Sequence, residues 1–239
     1  MTEDIGAPVD KGNPWRQGIA AVVAVAALCG GAWWLGETSG TSPAKPARCS
    51  GGKPDKTAAP AEQAHTSGAQ LCEALNRPDL AELLGTPDQK PRTASGSQKS
   101  MRLLGSEDIV SPSARVEFDA YTVELSATYD RLTVAESAVV LGKGAQQQAV
   151  LGHPAFFYSD RTVTFSIGTD GRGTNSGPGS PVRALTVALG DKDSGGSYEV
   201  TLWRADGVLP DDAVVRRVAE KVLPTVPGWT TGGAGVTQG

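Results

Sequence analysis

The sequence contains few of the side chains that most often carry chemistry. Its 239 residues include two histidines and three cysteines, and aromatic residues make up 5% of the chain. A metal site needs several clustered ligands, and no group of His, Cys and carboxylate residues has a suitable spacing. The formal net charge of −4 comes without a basic stripe, which argues against nucleic acid as a partner. We therefore assign no catalytic, cofactor-binding or metal-ligating residues and expect no cofactor.

One long hydrophobic run lies near the amino terminus. Residues 18–35 carry no charged or strongly polar side chain, and a run of about 18 such residues predicts a transmembrane helix. Trp15 and Arg16 precede the run, and Trp33 and Trp34 lie near its end. Indole rings prefer the membrane–water boundary, so we place these four residues at the two interfaces. We predict a single span over 17–36, with the amino terminus inside and the carboxyl terminus outside.

Three other interpretations of this run are weaker. A cleaved signal peptide needs small residues after its apolar core, whereas Leu28, Trp33 and Trp34 follow here. A lipoprotein signal needs a small residue before the modified cysteine, but Leu28 precedes Cys29. A buried helix of a soluble domain needs flanking sequence able to wrap it, and none is present.

The remainder of the chain predicts one domain on a tether. Residues 1–16 form a short cytoplasmic leader, and the Gly-, Ser- and Pro-rich residues 37–68 form a disordered tether, because they hold almost no large apolar side chain. Residues 69–229 are long enough for an extracytoplasmic domain with its own core. The Gly- and Thr-rich residues 230–239 form a disordered tail.

Hydrophobic periodicity in this domain predicts an α+β fold. Two short helices are indicated near residues 71–84, and a closing helix follows Pro210. Apolar residues alternate at 163–167, 185–189 and 198–202, which predicts antiparallel strands. The alternation at 116–127 changes phase at Tyr121, which predicts a β-bulge or a strand buried on both faces. Residues 86–108 are polar and turn-rich. We expect helices packed on one face of an antiparallel sheet.

The two cysteines beyond the predicted span allow a disulfide. Cys49 and Cys72 would both lie in an oxidising exterior, where a bridge between them would close a loop of about 22 residues. The alternative is a buried Cys72 on a helix and a free thiol at Cys49.

Several short motifs have an ordinary interpretation beside a functional one. His65 lies in the tether, and His153 is expected in a turn between strands. Ser42–Lys45 matches a nucleophile pattern outside any helix, so we regard the match as accidental. Asp191–Gly195 begins like a calcium loop but lacks the closing acidic residue, which favours a hairpin tip. The loop 168–181 is a disordered insertion or a binding loop.

The most chemically mixed surface candidate is an aromatic run followed by a charged pair. Phe156, Phe157 and Tyr158 precede Asp160 and Arg161. Together they could form a recognition patch. Core packing by alternate members of the run is the simpler interpretation.

Three segments carry a resemblance to known proteins. Leu71-Cys-Glu-Ala-Leu75, Leu80-Ala-Glu-Leu-Leu-Gly-Thr-Pro87 and Gly152-His-Pro-Ala155 resemble short signatures of uncharacterised, membrane-anchored exported proteins of actinobacteria. The resemblance extends over about residues 70–229. It implies an envelope location and a non-catalytic α+β domain, and it carries over no active-site residue.

These observations favour a single-pass protein of the cell membrane that presents an extracytoplasmic binding domain. Its expected partners are the membrane and another envelope protein or a cell-wall component. Two alternatives stay open. One is an envelope hydrolase that uses carboxylates such as Asp119 or Asp160, and the other is a structural subunit of an envelope complex.

Overall fold

A computed structural model describes residues 47–53, 65–102, 108–141, 145–167 and 174–230. The predicted leader, the span over 17–36 with its four interface residues, and residues 231–239 of the predicted tail lie outside these ranges. No helix in the described ranges is long and apolar enough to cross a membrane. Pro46–Gly239 forms one compact unit, which holds the whole described core.

The unit contains eight strands and four helices within the described ranges. The helices are α1 (Gly68–Leu75), α2 (Leu80–Leu83), α3 (Val134–Leu141) and α4 (Asp212–Val222), and a 3₁₀ turn (Leu223–Thr225) follows α4. The strands are β1 (Ser50–Gly51), β2 (Thr93–Arg102), β3 (Asp108–Glu117), β4 (Tyr121–Thr128), β5 (Gln146–Val150), β6 (His153–Ile167), β7 (Thr174–Ala188) and β8 (Ser197–Arg204).

The strands form a single sheet in the order β1-β2-β3-β4-β8-β7-β6-β5. All neighbouring pairs are antiparallel except β1 and β2. The architecture is therefore α+β or mostly β, built on a mostly antiparallel sheet. The strand expected at 163–167 lies within β6, and the one expected at 198–202 lies within β8. The strand expected at 185–189 lies within β7 except for Leu189, which follows the end of that strand.

One face of the sheet, which we call the inner face, holds the main core. Buried and half-buried residues alternate along β4 and β8, and Val123 and Leu125 pair with Leu202 and Val200. Alternate side chains of a strand point to opposite faces, so the buried set shares one face. Helices α1, α2 and α4 cover it with these buried residues: Leu71, Leu75, Leu80, Leu83, Val215, Val218 and Val222.

The opposite face, the outer face, is covered only in part. Phe156 and Phe157 are neighbours in β6 and point to opposite faces. Phe157 belongs to the main core, whereas Phe156 packs with Val134 and Ala138 of α3 in a separate small cluster. The expectation that all helices pack on one face is therefore wrong for α3.

Order begins earlier in the chain than the tether prediction allowed. Cys49 and Cys72 form a disulfide with a Cα–Cα distance of 5.9 Å, and β1, which begins at the next residue after Cys49, pairs with β2. The amide of Ala47 donates to the carbonyl of Pro91 at 3.2 Å. The prediction of a tether over 37–68 is wrong for 47–53 and 65–68, because a covalent bond and backbone pairing hold segments that have little apolar surface.

A close backbone crossing fixes the start of α1. The Ser67 hydroxyl accepts from the Gln70 amide at 3.3 Å and caps the helix. A Cβ on Gly68 would lie 2.1 Å from the carbonyl oxygen of Ser97 in β2, so only glycine fits. The helix therefore lies directly against β2.

Two local predictions in the first half of the domain are corrected. The phase change at Tyr121 arises from a tight turn between β3 and β4, where the Phe118 amide donates to the Tyr121 carbonyl at 2.8 Å. Each strand keeps its own regular alternation. The polar region 86–108 contains β2. Among residues 93–98 of this strand, only Ala94 is buried in the core.

Candidate functional site

An open groove of about 490 Å³ lies on the part of the outer face that α3 leaves uncovered. Strand register assembles it, because Glu124, Thr201, Ala184 and Tyr158 stand in line across β4, β8, β7 and β6. We call it the outer groove. Its lining residues are Arg115, Glu124, Tyr158, Asp160, Arg161, Thr162, Val163, Val182, Glu199, Thr201 and Trp203.

The carboxylate of Glu199 lies in this groove among hydroxyl groups. It accepts hydrogen bonds from Tyr158 Oη at 2.8 Å, Thr186 Oγ1 at 3.2 Å and Thr201 Oγ1 at 3.3 Å. Within the described ranges it forms no ion pair with a lysine or arginine. Burial and the neighbouring Glu199 carboxylate raise the pKa of the Tyr158 phenol well above its ordinary value. Tyr158 therefore remains a hydrogen-bond donor that fixes the Glu199 side chain.

A cation and an indole ring form the other side of the groove. Arg115 of β3 donates from Nη2 to Glu124 Oε2 at 2.7 Å. Its guanidinium also lies 5.1 Å from the ring centroid of Trp203 in β8. A planar guanidinium against an indole face is a favourable arrangement, and the carboxylate orients it further. The groove thus contains the Arg115–Glu124 ion pair, the Trp203 indole and the Glu199 carboxylate, which accepts from hydroxyl groups.

The aromatic run and the charged pair of the sequence have divided roles in the structure. Phe156 and Phe157 are both buried, in different clusters, so consecutive members of the run pack in cores and not alternate members as the simpler interpretation predicted. Tyr158, Asp160 and Arg161 line the outer groove, and the recognition interpretation stays a prediction. Strand alternation and a register shift between Arg161 and Val163 account for the split.

The two carboxylates of the hydrolase alternative lie in different places. Asp160 lines the outer groove, and its Oδ1 accepts from the amide of Arg161 at 2.7 Å. Asp119 lies in the β3–β4 turn, exposed, and pairs with Arg92 at 3.0 Å. The structure does not bring them together in the outer groove.

Both histidines have structural partners. His153 begins β6 rather than lying in a turn, and its buried ring contacts the carbonyl oxygens of Ala188 at 2.9 Å and Thr230 at 2.8 Å. The His65 ring stacks on Tyr129 with centroids 3.9 Å apart, beside a cavity of about 340 Å³ that Tyr198 also lines. Burial, the largest cause, raises the pKa of Tyr198 to about 12.

The acidic motif at 191–195 lies in the connection between β7 and β8, and residues 168–173 of the expected loop lie outside the described ranges. Asp193, expected at a hairpin tip, accepts from the amide of Val134 at 2.7 Å and so caps α3. Residues 174–181 of the expected loop belong to β7. In the described ranges no three His, Cys, Asp or Glu side chains lie close enough to hold a metal ion.

Sequence reasoning missed most of the groove. Arg115 and Glu124 come from the β3–β4 hairpin, and Glu199, Thr201 and Trp203 come from β8, which is distant in sequence. No local spacing relates the two groups, and only the strand register brings them to one face. The polar residues between the apolar ones in β4 and β8 were the available signal.

Comparison with known families gives one match. Residues 10–144, more than half of the chain, match the model of a family of unknown function, DUF6215. The chain belongs to DUF6215. The matched range includes the predicted span, α1 to α3 and β1 to β4, so β5 to β8 of this DUF6215 protein lie outside it. No curated protein and no solved structure matches the chain.

The match to DUF6215 confirms that the chain resembles a family of unknown function. Membrane anchoring, export and an actinobacterial origin stay predictions.

Proposed function

We propose that this chain is a single-pass membrane protein that presents residues 47–230 outside the cell membrane as a binding domain. The predicted span over 17–36 is its anchor. The outer groove is its ligand site, and this groove is the observation that carries the proposal. A sheet face that the described helices cover only in part, with polar side chains already fixed by hydrogen bonds, is a preorganised binding surface.

The chemistry of the groove favours a hydroxyl-rich ligand. The Glu199 carboxylate and the Arg115–Glu124 pair offer charge-assisted hydrogen bonds. The Trp203 indole offers an apolar surface beside them. Saccharides present hydroxyl groups and apolar ring faces together, so a cell-wall saccharide suits this set better than an apolar ligand or a polyanion.

The test is binding of soluble saccharide fragments, released from the cell wall, to the full chain in detergent, measured by calorimetry. Glu199→Gln should weaken binding at least about tenfold, because it removes a charged acceptor. Glu220→Gln is the matched control, since Glu220 is on α4 and does not line the groove. Equal affinities for both variants, or no binding by the native chain, would contradict the proposal.

The same experiment separates the hydrolase alternative. A hydrolase would shorten the saccharide fragments during incubation, and a carboxylate-to-amide change at Asp160 or Glu199 would abolish the shortening. Unchanged fragments after prolonged incubation would favour binding without turnover.

A further inference from the structure

A second groove lies at the end of the domain where the chain enters from its predicted anchor. We call it the end groove; it measures about 430 Å³ and adjoins Ala47 and Pro91. Its apolar part consists of alanine, proline and phenylalanine side chains, with Phe118 of the β3–β4 turn among them. Three cations, Arg48, Arg77 and Lys90, line it together with neutral residues only.

Two of these cations have no ion-pair or hydrogen-bond partner for their side chains among the described residues. The Arg77 guanidinium is committed to Asp79, which it contacts from Nη2 at 3.0 Å. Arg48 and Lys90 are exposed, and neither side chain forms an ion pair or hydrogen bond in the described ranges. Among the described residues, the groove therefore carries two positive charges without an ion-pair partner, beside an apolar surface.

Exposed aliphatic side chains lie at the same end. The amide of Ala205 donates to the carbonyl of Ala120 at 3.0 Å, which places the loop after β8 beside the β3–β4 turn. In this loop Val208 is 55% exposed and Leu209 is 45% exposed. Basic residues beside exposed aliphatic ones are the combination that binds the headgroup region of a membrane.

A membrane span over 17–36 would leave only a short length of chain before Ala47. Ten residues, 37–46, separate the predicted span from the first described residue. They reach at most about 36 Å when extended, and about 17 Å r.m.s. as a flexible coil. The predicted 32-residue tether would have reached about 30 Å r.m.s.. The disulfide and β1 shorten the free linker by holding 47–53 on the domain.

We propose that the end groove and the Val208–Leu209 loop dock on anionic phospholipid headgroups of the membrane that holds the anchor. Arg48 and Lys90 contact the phosphates, and the two aliphatic side chains enter the headgroup boundary. The proposal rests on the membrane anchor of the proposed function and is independent of the ligand in the outer groove.

Two lysines of the same chain give an internally controlled test. Lys90 lines the end groove, and Lys192 is an exposed residue in the β7–β8 loop. These positions lie near opposite ends of β4, whose eight residues span roughly 25 Å. The full chain is placed in lipid nanodiscs, and the acetylation rate of each lysine by a membrane-impermeant reagent is measured by mass spectrometry.

The expected result depends on lipid charge. With about 30% phosphatidylglycerol in phosphatidylcholine at low salt, the Lys90-to-Lys192 rate ratio should fall at least about fivefold relative to phosphatidylcholine alone. Arg48→Gln should weaken this protection about fivefold, the effect of one basic residue near an anionic surface. Salt at about 1 M should restore the ratio, since it shortens the screening length to about 3 Å. Replacing Val208 and Leu209 with serine should also weaken the protection.

Each other outcome overturns a defined part of the account. An equal rate ratio in both lipid compositions, with the chain retained in the discs, overturns the docking and leaves the anchor intact. A chain that does not insert into discs overturns the anchor and the docking together. Loss of Lys90 protection on Glu199→Gln would overturn the independence of the two grooves.

Discussion

Removing the Cys49–Cys72 disulfide should destabilise the domain by an amount that its loop length sets. The bond joins residues 23 positions apart, and the chain-entropy model gives about 3.4 kcal/mol for a loop of this size. The contacts that would remain on 47–53 are few: two residue pairs between β1 and β2 and several backbone or amide hydrogen bonds. We therefore expect the segment to detach once the bond is absent.

The assay is urea unfolding of the compact unit Pro46–Gly239 in oxidised form, in reduced form and as a Cys49→Ala, Cys72→Ala double variant. Reduction should lower the free energy of unfolding by about 3 kcal/mol, and trypsin should then cleave faster after Arg48. The double variant, kept under reducing conditions, shows whether the lost bond or the thiols are responsible. A change below about 1 kcal/mol with unchanged cleavage would refute the reasoning.

Three further predictions concern buried contacts of the domain. Asp212→Ala should lower the free energy of unfolding by about 2 kcal/mol in urea titrations, because buried Arg183 loses the carboxylate that its Nη2 contacts at 2.8 Å. Gly68→Ala should cost about 2 kcal/mol through its clash with a β2 carbonyl; Gly190→Ala, with open space around its Cβ, should change stability by less than about 0.5 kcal/mol. Because burial raises the pKa of Tyr198 to about 12, its contribution to stability should be complete below about pH 10 and lost as the pH rises to about 12, observable as a falling urea midpoint. Equal effects of the two glycine variants, or a midpoint that rises over this pH range, would contradict these arguments.

Sequence reasoning worked where a strand carries large apolar residues at alternate positions. Val200 and Leu202 of β8 stand in such a pattern, and both are buried on the inner face. The closing helix was recognisable for a similar reason, since Asp211 caps it and valines of one side enter the core. In these elements the local pattern and the tertiary burial agree.

Other elements depend on contacts that no local pattern contains. Strand β2 lies near the sheet edge, and among its residues 93–98 only Ala94 is buried. Because the strand has so few apolar core residues, its sequence pattern is that of a loop. The turn at Phe118 and a β-bulge produce the same change of phase, and only the pairing of Val116 with Val123 distinguishes them. The outer groove is even harder to predict from the sequence, because Arg115, Glu124 and Trp203 meet through strand register alone.

The most direct test of the central claim is the sidedness of the chain in intact cells. A membrane-impermeant lysine reagent is applied to the cells, the membranes are washed with alkaline carbonate, and the labelled lysines of the recovered chain are identified. The account predicts that the chain stays in the membrane pellet, with Lys192 labelled and Lys11 unlabelled. A chain recovered in the aqueous fraction with its amino terminus intact, or labelling of Lys11 without Lys192, would contradict it.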